Sequence, residues 1–117
     1  MSVDAPLPAR DRVLFDECVP RHLLRELPGV DASHVITEGW AGQRNGALLR
    51  VMLAAGFRTL VTVDRNLHFQ QNVAASGIAV IVLVARSNRV PDLVPLIPGL
   101  LGALAAAELG TVAHVGV

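Results

Sequence analysis

The sequence predicts a single α/β domain built around a mostly parallel sheet of four to five strands, and three observations carry that prediction. Short apolar runs alternate with longer amphipathic ones, the pattern of repeated strand–helix–strand units. Apolar residues make up 52% of the 117 positions and charged residues 17%, enough for a core and far from the composition of a disordered chain. The run IAVIVLV at 78–84 is apolar without interruption, as a strand covered on both faces must be.

The elements follow in order. The first strand spans residues 12–15 and stops at Asp16. Pro20 suits a first helical turn and opens a helix through residue 27, with Leu23, Leu24 and Leu27 on one face. Pro28 and Gly29 end it. A short strand lies around 33–36, followed by a loop of small and polar residues, TEGWAGQRNG. The second helix runs from about 45 to 55, with Leu48, Leu49, Met52 and Leu53 inward and Gly56 as its C-terminal cap. Residues 59–63 form the third strand, ending at Asp64. A short helix covers 67–75, the central strand is 78–84, and the last helix spans about 91–109 with a break near Pro98. Residues 111–115 add an edge strand. Residues 1–11 carry acids and prolines and no apolar leader, so they read as a flexible lead-in to one domain over 1–117.

Composition narrows the function classes. The longest uncharged apolar stretch, 93–107, is short and holds Pro95 and Pro98, so no membrane span is expected. One cysteine, Cys18, precludes an internal disulfide and fits a reducing cytoplasm; no CxxC or HxxxH spacing suggests zinc. Net charge is +0, so no global field attracts nucleic acid. Yet all ten basic residues are arginine, each a planar fork suited to phosphate or carboxylate. Mean hydropathy is +0.50, and Leu93, Val94, Leu96, Ile97, Leu100, Leu101 and Leu104 exceed what one helix face needs. Some of that surface is expected to meet a second copy or a partner protein.

The chemistry is expected at two strand ends. Asp16 and Asp64 each stand directly after an apolar strand, and in a parallel sheet with right-handed crossovers all C-terminal strand ends share one edge. Glu17 adds a third acid. Clustered carboxylates repel, and a divalent cation removes that cost, then bridges to phosphate. Asp also commonly ends strands and caps helices, and spacing alone does not separate the two roles. Arg21, Arg44, Arg65, Arg86 and Arg89 all follow predicted strands on that edge, where a phosphate backbone is one anion to meet; pairing with neighbouring acids is the other outcome. Trp40 either stacks on a base or plugs the core edge, and His68 and Asn88 are further polar groups near the same edge.

The stretches LFDECVPRHLLREL, GWAGQRNGALL, GFRTLVTVDRNLHFQQN and AVIVLVARSN, in this order, resemble a compact PIN-like family whose members often look like toxins of bacterial toxin–antitoxin pairs. The resemblance implies a three-layer α/β/α sandwich, an acidic pocket at the C-terminal strand edge, Mg²⁺ or Mn²⁺ as cofactor, RNA as substrate and a cognate antitoxin as partner. It assigns Asp16, Glu17 and Asp64 to the catalytic, metal-holding acids. Where related members often carry further acids, this chain has Asn45, Ala47 and Asn66, and Glu38 is a loop acid able to supply charge. The expected function is therefore a metal-dependent endoribonuclease. The alternative is a catalytically weakened PIN-like module that binds protein or RNA. A phosphoacceptor receiver domain shares the acid pattern but normally needs a lysine, and the chain has none. A dinucleotide-binding domain is excluded because no GxGxxG follows a strand.

Overall fold

The computed structural model describes residues 12–65 and 77–116. They form an α/β domain on a five-stranded, all-parallel sheet. The strands are β1 (Val13–Phe15), β2 (Ala32–His34), β3 (Thr59–Thr62), β4 (Ala79–Val84) and β5 (Val112–Gly116). The helices are α1 (Asn45–Ala54), α2 (Val90–Leu93) and α3 (Ile97–Ala106), with 3-10 turns at Arg21–Glu26 and Val94–Leu96. The strand order is β2-β1-β3-β4-β5. Every neighbouring pair is parallel.

Helices cover both faces of the sheet. On one face α1 places Leu48, Leu49 and Met52 against Leu14, Leu60, Val80 and Val82. On the other, Leu23, Leu27, Leu93, Leu96 and Leu100 pack on Val13, Phe15, Val61, Ile81 and Leu83. Alternate residues of one strand therefore feed opposite cores, which is why β4 reads as an unbroken apolar run.

The helix expected at 45–55 forms as α1, and its end shows why. Gly56 takes φ +91, its N–H donates to Leu53 O, and Phe57 N–H donates to Met52 O. That is the paired-bond arrangement in which a left-handed glycine closes a helix. Arg12 Nη1 donates to Ala55 O at 2.6 Å and Arg58 Nη1 to Leu53 O at 3.3 Å, so two cations face the negative end of the helix.

Two helices depart from expectation. The segment expected as a helix over 20–27 winds as a 3-10 turn, with Leu23 N–H on Pro20 O and Leu27 N–H on Leu24 O. It lies between two prolines, and the residue before Pro28 resists helical backbone angles. The long helix expected over 91–109 is three pieces, broken at Val94–Leu96 rather than near Pro98. Pro95 cannot donate to the carbonyl four residues back and tightens the chain into a 3-10 turn. Pro98 instead falls in the first turn of α3, where a missing N–H costs nothing. The short helix expected at 67–75, Asn66, His68 and the lead-in 1–11 lie outside the described residues. Among the described residues, no helix is long and apolar enough to cross a membrane.

Candidate functional site

The chain leaves β1 toward β2 on one side and returns by α1 to β3 on the other. The order of strands thus reverses between β1 and β3, and the crevice at such a point is where open parallel sheets bind ligands. Asp16 and Asp64 follow these two strands. Asp16 still belongs to the ladder, since its N–H donates to Val61 O at 2.9 Å. Phe15 is paired with Val61, so one residue further Asp16 falls beside Thr62. Both lie on the α1 side of the sheet, two residues on from Leu14 and Leu60.

A single hydroxyl joins the two strand ends. Thr62 Oγ1 donates to Asp16 Oδ2 at 2.8 Å and accepts from the Asp64 N–H at 3.1 Å. Asp16 Oδ1 accepts from the Glu17 N–H at 2.8 Å. The Cys18 thiol also reaches Asp16 Oδ2, at 3.6 Å, and lies 3.5 Å from Thr62 Oγ1. Burial, the largest cause, pushes the Cys18 thiol above its ordinary value of 9.0; hydrogen bonds with Thr62 and the Val63 backbone come next and pull it down, and the Asp16 charge then adds to the rise. Cys18 at neutral pH is therefore a thiol that donates to a carboxylate, not a nucleophilic thiolate.

The other expected residues separate into those on this edge and those tied elsewhere. Asp64 is exposed at the end of β3. Glu17 is exposed, and its Oε1 accepts from the Gly42 N–H at 2.9 Å, so it clasps the loop that leads into α1. Glu38 accepts from Ser33 Oγ at 2.6 Å and serves its own turn. Asn88 donates from Nδ2 to Cys18 O at 2.9 Å, which binds the loop after β4 to the loop after β1. Asn45 begins α1, whose N-terminus has Arg44 as cap residue, no side-chain cap and no acid in its first turn. Arg21, Arg44, Arg86 and Arg89 are exposed, and Arg65 Nη2 donates to Ala85 O at 3.3 Å. Trp40 meets the edge of Phe57, with ring centroids 5.9 Å apart and planes at 85°, and packs on the core. His34 is buried: its Nδ1 accepts from Ile36 N–H at 3.0 Å, so Nε2 carries the proton toward Val19 O at 2.6 Å.

Sequence reasoning missed Thr62 and Cys18 as parts of the site. Thr62 had a legible signal: it is a polar residue inside the apolar run LVTV, two positions before Asp64 and so on the same strand face. Cys18 had none, because its meaning comes from the turn that folds it back on Asp16.

Among the described residues, no three His, Cys, Asp or Glu side chains gather as a metal-holding group. The three donors on Asp16 leave part of its lone-pair capacity unused. Asp16 is the kind of donor that Mg²⁺ or Mn²⁺ takes when it keeps most of its waters. Compared with known proteins, the chain matches no family model, no curated sequence and no solved structure.

Proposed function

We propose that the protein is a PIN-like, metal-dependent endoribonuclease, the toxin of a toxin–antitoxin pair, working at Asp16 and Asp64. The observation that supports this most is the Thr62 hydroxyl, which holds the Asp16 carboxylate and the Asp64 backbone together at the reversal point of the sheet. Asp16, pinned by three donors, would hold the metal, with Asp64 beside it at the end of β3. A bound Mg²⁺ or Mn²⁺ supplies charge stabilisation at the scissile phosphate and a more acidic water. Glu17 holds the loop before α1 in place and has a second oxygen able to take a proton or a water. The arginines of the same edge meet the strand's phosphates. A cytoplasmic setting follows from that substrate.

The test is cleavage of a fluorogenic single-stranded RNA with Mg²⁺ or Mn²⁺ and with EDTA. Cleavage is expected only with metal, and Asp64→Asn and Asp16→Asn are each expected to abolish it. Undiminished cleavage in EDTA would falsify the proposal.

Two observations favour other readings. The sparse acid set, with Asn45 at the start of α1, favours a module that binds RNA or protein without cutting. Saturable RNA binding with no turnover in either metal would select it. The order β2-β1-β3-β4-β5 is also that of flavodoxin-like sheets, so it does not separate a nuclease from a phosphoacceptor. The lack of any lysine weighs against the latter, and stable labelling of Asp64 by acetyl phosphate would reinstate it.

A further inference from the structure

Beside the acid pair the same sheet edge carries a cavity. A cleft of about 440 Å³ is lined by Arg86, Ser87, Arg89, Pro91 and Asp92, on the segment that leaves β4. Neither guanidinium makes an ion pair among the described residues, where Arg12 with Asp31 is the pair observed. The acid in the cleft is engaged otherwise: Asp92 Oδ2 accepts from Ser87 Oγ at 2.5 Å, and Ser87 Oγ accepts from the Arg89 N–H at 3.1 Å. The carboxylate thus fixes the turn and leaves two planar cations facing one solvent-filled space with a net charge of about +1. Such a pair repels itself until an anion enters. Two forks converging on one anion call for acceptors on more than one side, and a tetrahedral phosphate presents its oxygens out of a single plane, whereas a carboxylate presents two in one plane.

The cleft is also tied to the acids. Asn88, between the two arginines in sequence, donates to Cys18 O, and the Cys18 thiol touches Asp16. The two sites are therefore held by one set of loops. We propose that Arg86 and Arg89 form a phosphate seat that holds one backbone phosphate of a nucleic-acid strand while a neighbouring phosphate lies over Asp16 and Asp64. The seat rests on the cleft alone; the identity of the strand rests on the ribonuclease reading.

The experiment is done on the full chain in EDTA, so that no cation contributes. Inorganic phosphate and adenosine 5′-monophosphate are titrated separately while arginine Nε–Hε resonances are followed by NMR. Arg86 and Arg89 are expected to shift saturably with both probes, and Arg21 and Arg44 to stay still. Uniform shifts across all arginines, or a response to the nucleotide but not to inorganic phosphate, overturn the seat. R86Q/R89Q is expected to bind phosphate at least tenfold more weakly, with D16N/D64N unchanged; the reverse pattern also overturns it. R86K/R89K, which keeps the charge and loses the forks, is expected to fall between, and serves if the glutamine pair folds poorly. In the D16N background, which cannot cut, a short oligouridylate is then titrated at several salt concentrations. R86Q/R89Q should lower its affinity at least tenfold and reduce the salt slope by about 1 to 2. Phosphate shifts without any loss of oligouridylate affinity would leave a seat for free phosphate and reject the strand. Oligouridylate bound through the arginines, with no metal-dependent cleavage by the unmodified chain, would keep the seat and reject the nuclease.

Discussion

Thr62 shows how much one buried hydroxyl can hold. It is fully buried, gives its hydrogen to Asp16 and accepts one from the Asp64 backbone. Thr62→Val keeps the shape and removes both bonds. Loss of about 1–3 kcal/mol of stability is expected in urea titration, because the Asp64 N–H and an Asp16 oxygen lose a partner. If the acids cut RNA, displacement of Asp16 should lower kcat by about 10- to 100-fold with little change in KM. The neighbouring thiol gives an independent readout. The chain has no Lys and no Tyr, so Cys18 is the one side chain whose ordinary value lies in the mildly alkaline range. The folded state holds it as a thiol because burial, the largest cause, outweighs the hydrogen bonds with Thr62 and the Val63 backbone, and the Asp16 charge adds to burial. Its contribution to stability is therefore full below pH 9.0 and is lost as pH climbs through the raised folded value. Urea midpoints should fall in that alkaline window, and Cys18→Ala should flatten the slope; an unchanged slope would count against the assignment. At this scale the sequence was half legible. The aspartates stood out because each ends an apolar run, whereas the role of Cys18 depends on a turn that brings it back over Asp16.

Elements were legible where several local signals agreed. The leucine spacing and Gly56 mark α1 almost to the residue, and the structure adds the two arginines that cap its carbonyls. Arg12 also stacks over the Phe57 ring at 4.2 Å. Arg12→Ala should cost about 1–3 kcal/mol in thermal or urea unfolding, combining that contact with the bond to Ala55 O. The last helix was less legible because two prolines a few residues apart act differently: one breaks the helix and the other starts the next. Gly99 in α3 has a role no pattern announces. A Cβ there would come 2.9 Å from Val115 Cγ1, and valine is stiff at χ1, so the helix must lift from β5. Gly99→Ala should destabilise by about 1–3 kcal/mol, and Val115→Ala in the same chain should recover part of it. Additive losses in that double variant would show that the two positions are not in contact.

At the scale of the molecule, the α/β class and parallel sheet were readable from alternating runs, but the strand order was not, since it depends on which side each crossover takes. The surplus of apolar residues on the last helix is partly explained. Leu93, Leu96 and Leu100 are core, while Val94 and Leu101 remain exposed beside a helix that carries no polar side chain. We propose that this face meets a second copy of the chain. Sedimentation velocity over a range of concentrations should show association that Leu101→Glu reduces; a monomer at every concentration would reject the self-contact. The uniformly parallel pairing has one more consequence, for how the chain reaches this state. No two neighbouring strands are joined by a hairpin, so none can zip up locally, and each must wait for a whole crossover to be laid down. On the ribosome, β4 stands with one rim bare until Val112–Gly116 has emerged, and in that interval a foreign strand can take the berth meant for β5.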